Sequence, residues 1–191
     1  MKKRRRKKVK RAKKKRRRTL AERTRTRKFH WTPDIILYFC SGGVGAMKGG
    51  DYMIHAFVEK IKEINVPDGG TVDPMVVIEV LGQKKYSSAK DDIGGIGETI
   101  YNEHIFVEPR GVDKVDAEGA KIMIKLVDKG FLKDALIGQF EFDMSFIYFM
   151  KDHLLLHKWL ALSNPNGEDF AKIQAYMKVS IAVACQGDEQ I

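Results

Sequence analysis

Nineteen of the first 28 residues are lysine or arginine, and Glu22 is the single acid among them. A segment charged this densely repels itself and has too few apolar side chains to bury, so no packed element is expected from it. Its net charge is +18. Of the 35 basic and 25 acidic residues in the chain, 16 and 24 therefore remain for residues 29–191, a net −8. The chain thus divides into a strongly basic arm and an acidic body. At 191 residues there is room for one domain plus extensions, and the body must supply it.

Between arm and body the character changes twice. Residues 29–40 bring aromatic and aliphatic side chains (Phe29, Trp31, Ile35, Ile36, Leu37, Tyr38, Phe39), with Pro33 interrupting any helix there. Residues 41–50 read as a linker with glycines at 42, 43, 45, 49 and 50. From Tyr52 onward the pattern is that of strands. Tyr52, Ile54, Ala56 and Val58 alternate with Met53, His55, Phe57 and Glu59, the period of a half-buried strand. Further strands are expected at 75–81, 104–107, 121–127, 135–142, 157–162 and 174–184. Turn formers separate them, among them Pro67-Asp68-Gly69-Gly70, Lys129-Gly130 and Asn164-Pro165-Asn166-Gly167. Residues 145–156 carry mixed signals and admit a helical turn. Seven or eight short strands with little helical periodicity predict an all-β antiparallel sandwich. The expected domains are 1–28, the polybasic arm; 29–50, the apolar segment and linker; and 51–191, the folded body.

Cys40 and Cys185 lie far apart and form no spaced motif, as in a reduced intracellular protein. The basic start is followed by more charge, so no secretory signal is expected. Its near-solid charge also leaves no apolar face of the kind a mitochondrial transit peptide needs. The longest apolar stretch, 35–40, falls well short of the roughly 20 residues that span a bilayer as a helix.

Particular segments are more specific. Val72-Asp73-Pro74-Met75-Val76, Lys84-Lys85-Tyr86-Ser87-Ser88 and Tyr101-Asn102-Glu103-His104-Ile105-Phe106 resemble the first half of a C2 domain. Residues 122–128, Leu136-Ile137-Gly138, and the run from His157-Lys158-Trp159 to Asn164-Pro165 resemble its second half. Within that superfamily the order is similar to the second C2 domain of the ferlins, down to an ending in Gly187-Asp188-Glu189. The resemblance covers residues 51–191 and leaves 1–50 outside it. It implies an eight-stranded C2-type β-sandwich, here with an extended polybasic N-terminal arm. Ferlins are large multi-C2 membrane proteins with a C-terminal span. Only one such domain and no span are read here, so membrane fusion is not carried over.

The same resemblance implies where calcium ligands would stand. Calcium takes six to eight oxygens, mostly from carboxylates, and C2 domains supply them from their first and third upper loops. Asp68 and Asp73 fall in the first, Asp128 and Asp134 in the third. The family pattern repeats a carboxylate two residues after the first, but Lys129-Gly130 follows Asp128, removing a ligand and adding an ammonium. The set reads as a degenerate calcium site, and no cofactor is expected. Phe131 and Leu132 offer a possible apolar loop contact.

Other chemistry-like signals read as structure. In the glycine-rich stretch Lys48 follows Met47 and precedes glycine, unlike a phosphate-binding loop. His153 and His157 have no third metal ligand in view and read as strand or surface histidines. Trp159 is expected in the core of the sandwich. No serine or cysteine stands in a nucleophile motif, so no catalytic residue, small-molecule substrate or enzyme is expected.

The arm is left as the charged contact. Lys2, Lys3, Arg4, Arg5, Arg6, Lys7, Lys8, Lys10, Arg11, Lys13, Lys14, Lys15, Arg16, Arg17 and Arg18 form a polyanion-binding run. Such density attracts anions by Coulomb force and counterion release, both weakened by salt. Acidic tails of tubulin, RNA or DNA phosphates and acidic lipid all fit, and the run also has the form of a nuclear localisation signal. The expectation is a non-catalytic adaptor, docking on protein partners through its C2 body and anchored by the arm to a large anionic assembly. An axonemal microtubule is favoured, with a cytoplasmic or cytoskeletal location and a cilium among the candidates. The alternatives are a peripheral phospholipid-binding protein of vesicle traffic and a component of an RNA-containing particle.

Overall fold

The structure, a computed structural model, describes residues 46–66, 69–130, 134–167, 169 and 171–188. The polybasic arm, residues 29–45, Asp68, Phe131 and Leu132 lie outside the described residues. Ten strands dominate: β1 (Tyr52–Lys62), β2 (Thr71–Val72), β3 (Pro74–Val80), β4 (Gln83–Tyr86), β5 (Ile93–Gly94), β6 (Glu98–Val107), β7 (Lys121–Asp128), β8 (Ala135–Asp143), β9 (Leu154–Ser163) and β10 (Ile173–Cys185). Two short helices, α1 (Lys114–Gly119) and α2 (Met144–Tyr148), and a 3-10 turn at Lys151–His153 complete the elements.

Hydrogen bonding orders eight strands as β4-β3-β7-β8-β9-β10-β1-β6, with β2 and β5 as a separate ribbon. Every pairing is antiparallel. Gln139–Ser163 is the single register pair joining β8 to β9. The eight strands therefore behave as two four-stranded sheets, a first of β4-β3-β7-β8 and a second of β9-β10-β1-β6, meeting at one seam. Gly138 lies in that seam, where the sheets approach closely: a Cβ there would stand 3.0 Å from the Leu162 Cβ and 3.3 Å from the Gln174 Cβ, so the neighbours would have to shift.

Between the sheets lies one apolar core. Ile54, Ala56, Val58 and Ile61 of β1 turn inward with Val76, Ile78 and Val80 of β3, Ile122, Ile124 and Leu126 of β7, and Met177, Val179, Ile181 and Val183 of β10. Each fully buried Val, Leu or Ile contributes about 1.5–3 kcal/mol, which makes this interior the main source of stability. The expected strands are present, several of them longer than the sequence indicates. The ambiguous stretch 145–156 resolves into α2, the 3-10 turn and the first residues of β9.

The fold has two distinguishable ends. At the upper end the loops after β1, β2, β7 and β9 gather, tied by bonds such as Asn65 N–H to Gln174 O and the Asn164 side-chain amide to Leu136 O. The chain enters at the lower end. There Met47 is buried in the core, and Gly50 exchanges both backbone bonds with Val112. Residues 47–50, which the sequence marks as the end of a linker, are thus packed into the domain. Their last anchor is the Lys48 ammonium on the Asp188 carboxylate, 2.5 Å away.

Candidate functional site

The upper loops bring Asp73 and Asp128 together, because Pro74 of β3 pairs with Asp128 at the end of β7. Both carboxylates are already engaged. Asp128 Oδ1 accepts the Asp73 backbone N–H at 2.7 Å, and Asp73 Oδ1 accepts the Asp92 N–H at 2.8 Å. Asp134 accepts the Gly130 N–H at 3.3 Å, closing its own turn. Among the described residues no group of three or more His, Cys, Asp or Glu converges as a metal site. Within the described loops each of these three aspartates thus has one carboxylate oxygen on a backbone N–H.

The outer faces of the two sheets differ. On the first, Glu79 accepts from Lys125 at 2.6 Å and pairs with Lys84, and Lys121 pairs with Glu141. Lys125 lowers the Glu79 carboxyl below its ordinary value, outweighing its partial burial. This face carries ion pairs that range from the partly buried Glu79–Lys125 to the exposed Lys121–Glu141.

On the second sheet the outer face is built of rings. Outward positions of β1 are Met53, His55 and Phe57, and β6 presents His104 and Phe106 beside them. Phe106 stacks on His55 and Phe57 on His104, each with centroids 4.5 Å apart, and the two histidines meet edge to edge with centroids 5.0 Å apart. His55 Nε2 and His104 Nδ1 are 2.8 Å apart, sharing a hydrogen bond within the stack. Met53 and Phe106 are each almost half exposed.

A line of β-bulges crosses this sheet just above the rings. Glu59 of β1 stands opposite two residues of β6, Tyr101 and Asn102, and Ser180 of β10 stands opposite Leu156 and His157 of β9. Asn102 and His157 take positive φ at these points, 51° and 52°, the left-handed backbone a bulge imposes. The bulges turn Glu59 toward β10 and β9, where its carboxylate accepts from Lys178 at 2.8 Å and from His157 at 2.7 Å. Burial opposes the Glu59 charge, but the hydrogen bonds from Lys178 and His157 outweigh it and hold the carboxyl below its ordinary value.

Trp159 is the clearest departure from the sequence reading. It lies on this outer face, 41% exposed, with the Lys62 and Lys60 ammonium groups 5.0 and 5.9 Å from its ring. Leu160 and Leu162 fill the inward positions instead. His153 and His157, four apart in sequence, are engaged separately: His153 stacks on Tyr148 and bonds its carbonyl, and His157 meets Glu59.

At the lower end of the same face lies a groove of about 790 Å³, lined by Met53, Ala182 and Ala184 together with Glu108, Arg110 and Asp152. Asp188 lines it too, its side chain only 7% exposed. Asp188 accepts from Lys48, from the Tyr148 hydroxyl at 3.0 Å and from the Cys185 N–H at 2.7 Å. Burial opposes its ionisation, yet these donors prevail and keep the carboxyl below the usual aspartate value. Sequence reasoning finds the alternation of β1 but misses the ring face, since His104 joins His55 only through the register of strands 49 residues apart.

No family model matches the chain. It is 28% identical to myoferlin of Xenopus tropicalis over 122 residues, 63% of this chain and 6% of that protein. To myoferlin of Homo sapiens it is 27% identical over 143 residues, 74% of this chain and again 6% of the relative. The chain thus spans about 6% of the length of the curated relatives it matches. Among solved structures, C2 domain A of a plant extended synaptotagmin 1 is matched over 99% of its length by 74% of this chain, with TM-score 0.50 and 15% identity. C2 domains A and B of extended synaptotagmin 2 give TM-score 0.53 at 14% identity, over 82% of this chain and 47% of that one.

The two-sheet fold and these neighbours give the body the fold of a C2 domain. In sequence it resembles the C2 domains of ferlins. No helix among the described residues is long and apolar enough to cross a membrane.

Proposed function

We propose that this chain is a non-catalytic adaptor whose C2 domain docks on a protein partner while residues 1–28 hold an anionic surface of a large assembly, an axonemal microtubule first. The observation that carries this reading is the engagement of Asp73 and Asp128 by backbone N–H groups, with Lys129 beside them. An acidic body that does not gather calcium at its upper loops is repelled there by anionic lipid. Contact with polyanions then falls to the arm, at net +18, and the ring-bearing outer face of the second sheet is free for protein. Aromatic side chains are enriched where proteins meet. On this reading the domain works without calcium or any other cofactor, in the cytoplasm or on the cytoskeleton of a cilium.

A second reading, a peripheral membrane module, is favoured by one neighbour: C2 domains A and B of extended synaptotagmin 2 with calcium bound, at TM-score 0.53 and 12% identity. Cosedimentation separates the two. The full chain and a chain lacking residues 1–28 are spun with microtubules, anionic liposomes and RNA, with and without calcium. The adaptor reading predicts microtubule binding that weakens steeply with salt, is lost with the arm and ignores calcium. Liposome binding that requires calcium and survives loss of the arm would overturn it. RNA binding in place of microtubules would move the assembly to an RNA-containing particle.

A further inference from the structure

We propose that His55 and His104 form a proton-operated catch that joins the sheet-edge strand β6 to β1 and sets the charge of the outer face. The inference needs only the four stacked rings and stands apart from the identity of any partner.

Its basis is the geometry of the shared bond. A neutral imidazole has one N–H donor and one acceptor nitrogen, whereas an imidazolium has two donors and no acceptor. The 2.8 Å contact between His55 Nε2 and His104 Nδ1 needs one donor and one acceptor. It therefore survives when both rings are neutral, and also when the pair carries one extra proton. A second proton leaves two N–H groups facing each other and two like charges in rings that meet edge to edge with centroids 5.0 Å apart. The catch then opens.

The surroundings do little to relieve that charge. Phe106 and Phe57 cover the outer faces of the two histidines. On β10, Ala182 is opposite His55 and Ser180 opposite Phe57, neither of them charged. The next charged group on the same face of β1 is Glu59, already held by Lys178 and His157. On β6, Glu103 serves Ser88 and Lys90 away from the stack, and Glu98 pairs with Lys60 at the far end of the strand. Partial burial and the neighbouring His104 push His55 below its ordinary value, the direction the catch requires. The sign follows. A histidine that resists protonation when folded contributes stability present above the free-histidine value and lost as pH falls through it toward the lower folded value.

The consequence is local. β6 ends its sheet and is hydrogen-bonded to one strand, β1, so loosening the stack frees one edge of the sandwich. Acidification also turns an uncharged aromatic surface into one bearing two cations, which couples any contact made on it to pH.

The test is a histidine titration of the full chain by NMR, with assignments from His→Phe variants and with protection factors of the β6 amides measured in parallel. The expected result is a coupled pair titrating in two steps separated by about one pH unit or more, with β6 protection falling several-fold through the lower step. In His55→Phe, which keeps a ring in the stack, His104 titrates in one step and β6 protection no longer depends on pH. A single shared step in the native chain, with β6 protection unchanged through it, would overturn the proposal. The native titration decides even where the variant fails to fold.

Discussion

The two outer faces of the sandwich are made by the same rule and end up with opposite characters. Both are the outward halves of alternating strands. The first sheet carries Glu79, Lys84, Lys121, Lys125 and Glu141, which pair across the strands, beside Val77 and Met123. The second carries Met53, His55, Phe57, His104, Phe106 and Trp159, with the charges of Glu59, Lys178 and Lys62 above the rings. A face of ion pairs is satisfied by its own partners and by solvent, and its exposed pairs, such as Lys121–Glu141, are worth little. A face of stacked rings is satisfied only in part by its own stacking, so it keeps apolar area available. The proposed partner surface is therefore a sheet face, and not the loop tips where C2 calcium ligands would stand.

That contrast can be pressed at graded sites. The strongest response is expected at the lower rim of the ring face. Asp188→Asn removes a nearly buried charge that three donors share, and should cost about 2 kcal/mol in chemical denaturation. The native carboxyl sits below its ordinary value, so its contribution is present above that value and lost as pH falls through the lower folded one. The native chain should therefore lose stability in acid faster than the variant. Within the stack, Phe57→Ala should cost about 1 kcal/mol and should loosen His104, visible as a changed ring shift. On the opposite face, Lys84→Ala should change stability by less than about 0.5 kcal/mol. A Lys84 effect as large as that of Phe57 would erase the distinction between the faces.

Much of the fold is legible in the sequence because its signal is local. Alternation places Ile54, Ala56 and Val58 inward and His55 and Phe57 outward, and the glycine and proline breaks mark the turns. The ordered segments around Asp73-Pro74, Leu136-Ile137-Gly138 and His157-Lys158-Trp159 carry the C2 resemblance. What escapes is non-local. Sequence reasoning puts Trp159 inside, in the usual place of a sandwich tryptophan. The bulge at Leu156 and His157 inserts one residue, reverses the parity of β9, and gives the inward positions to Leu160 and Leu162. The His55–His104 contact depends on the β1–β6 register. The Asp188 clamp depends on Lys48, a residue the glycine-rich composition around it marks as linker. The upper-loop aspartates are visible as candidates, but their use by backbone N–H groups is not, since that requires knowing which loops approach.

Whether the ring face is the surface a partner covers is read most directly by oxidative footprinting of the protein within its native assembly and free in solution. Met53 and Trp159 should lose reactivity on assembly while Met123, on the first sheet, keeps it. Unchanged reactivity of Met53 and Trp159 in the assembled state would refute the assignment of that face.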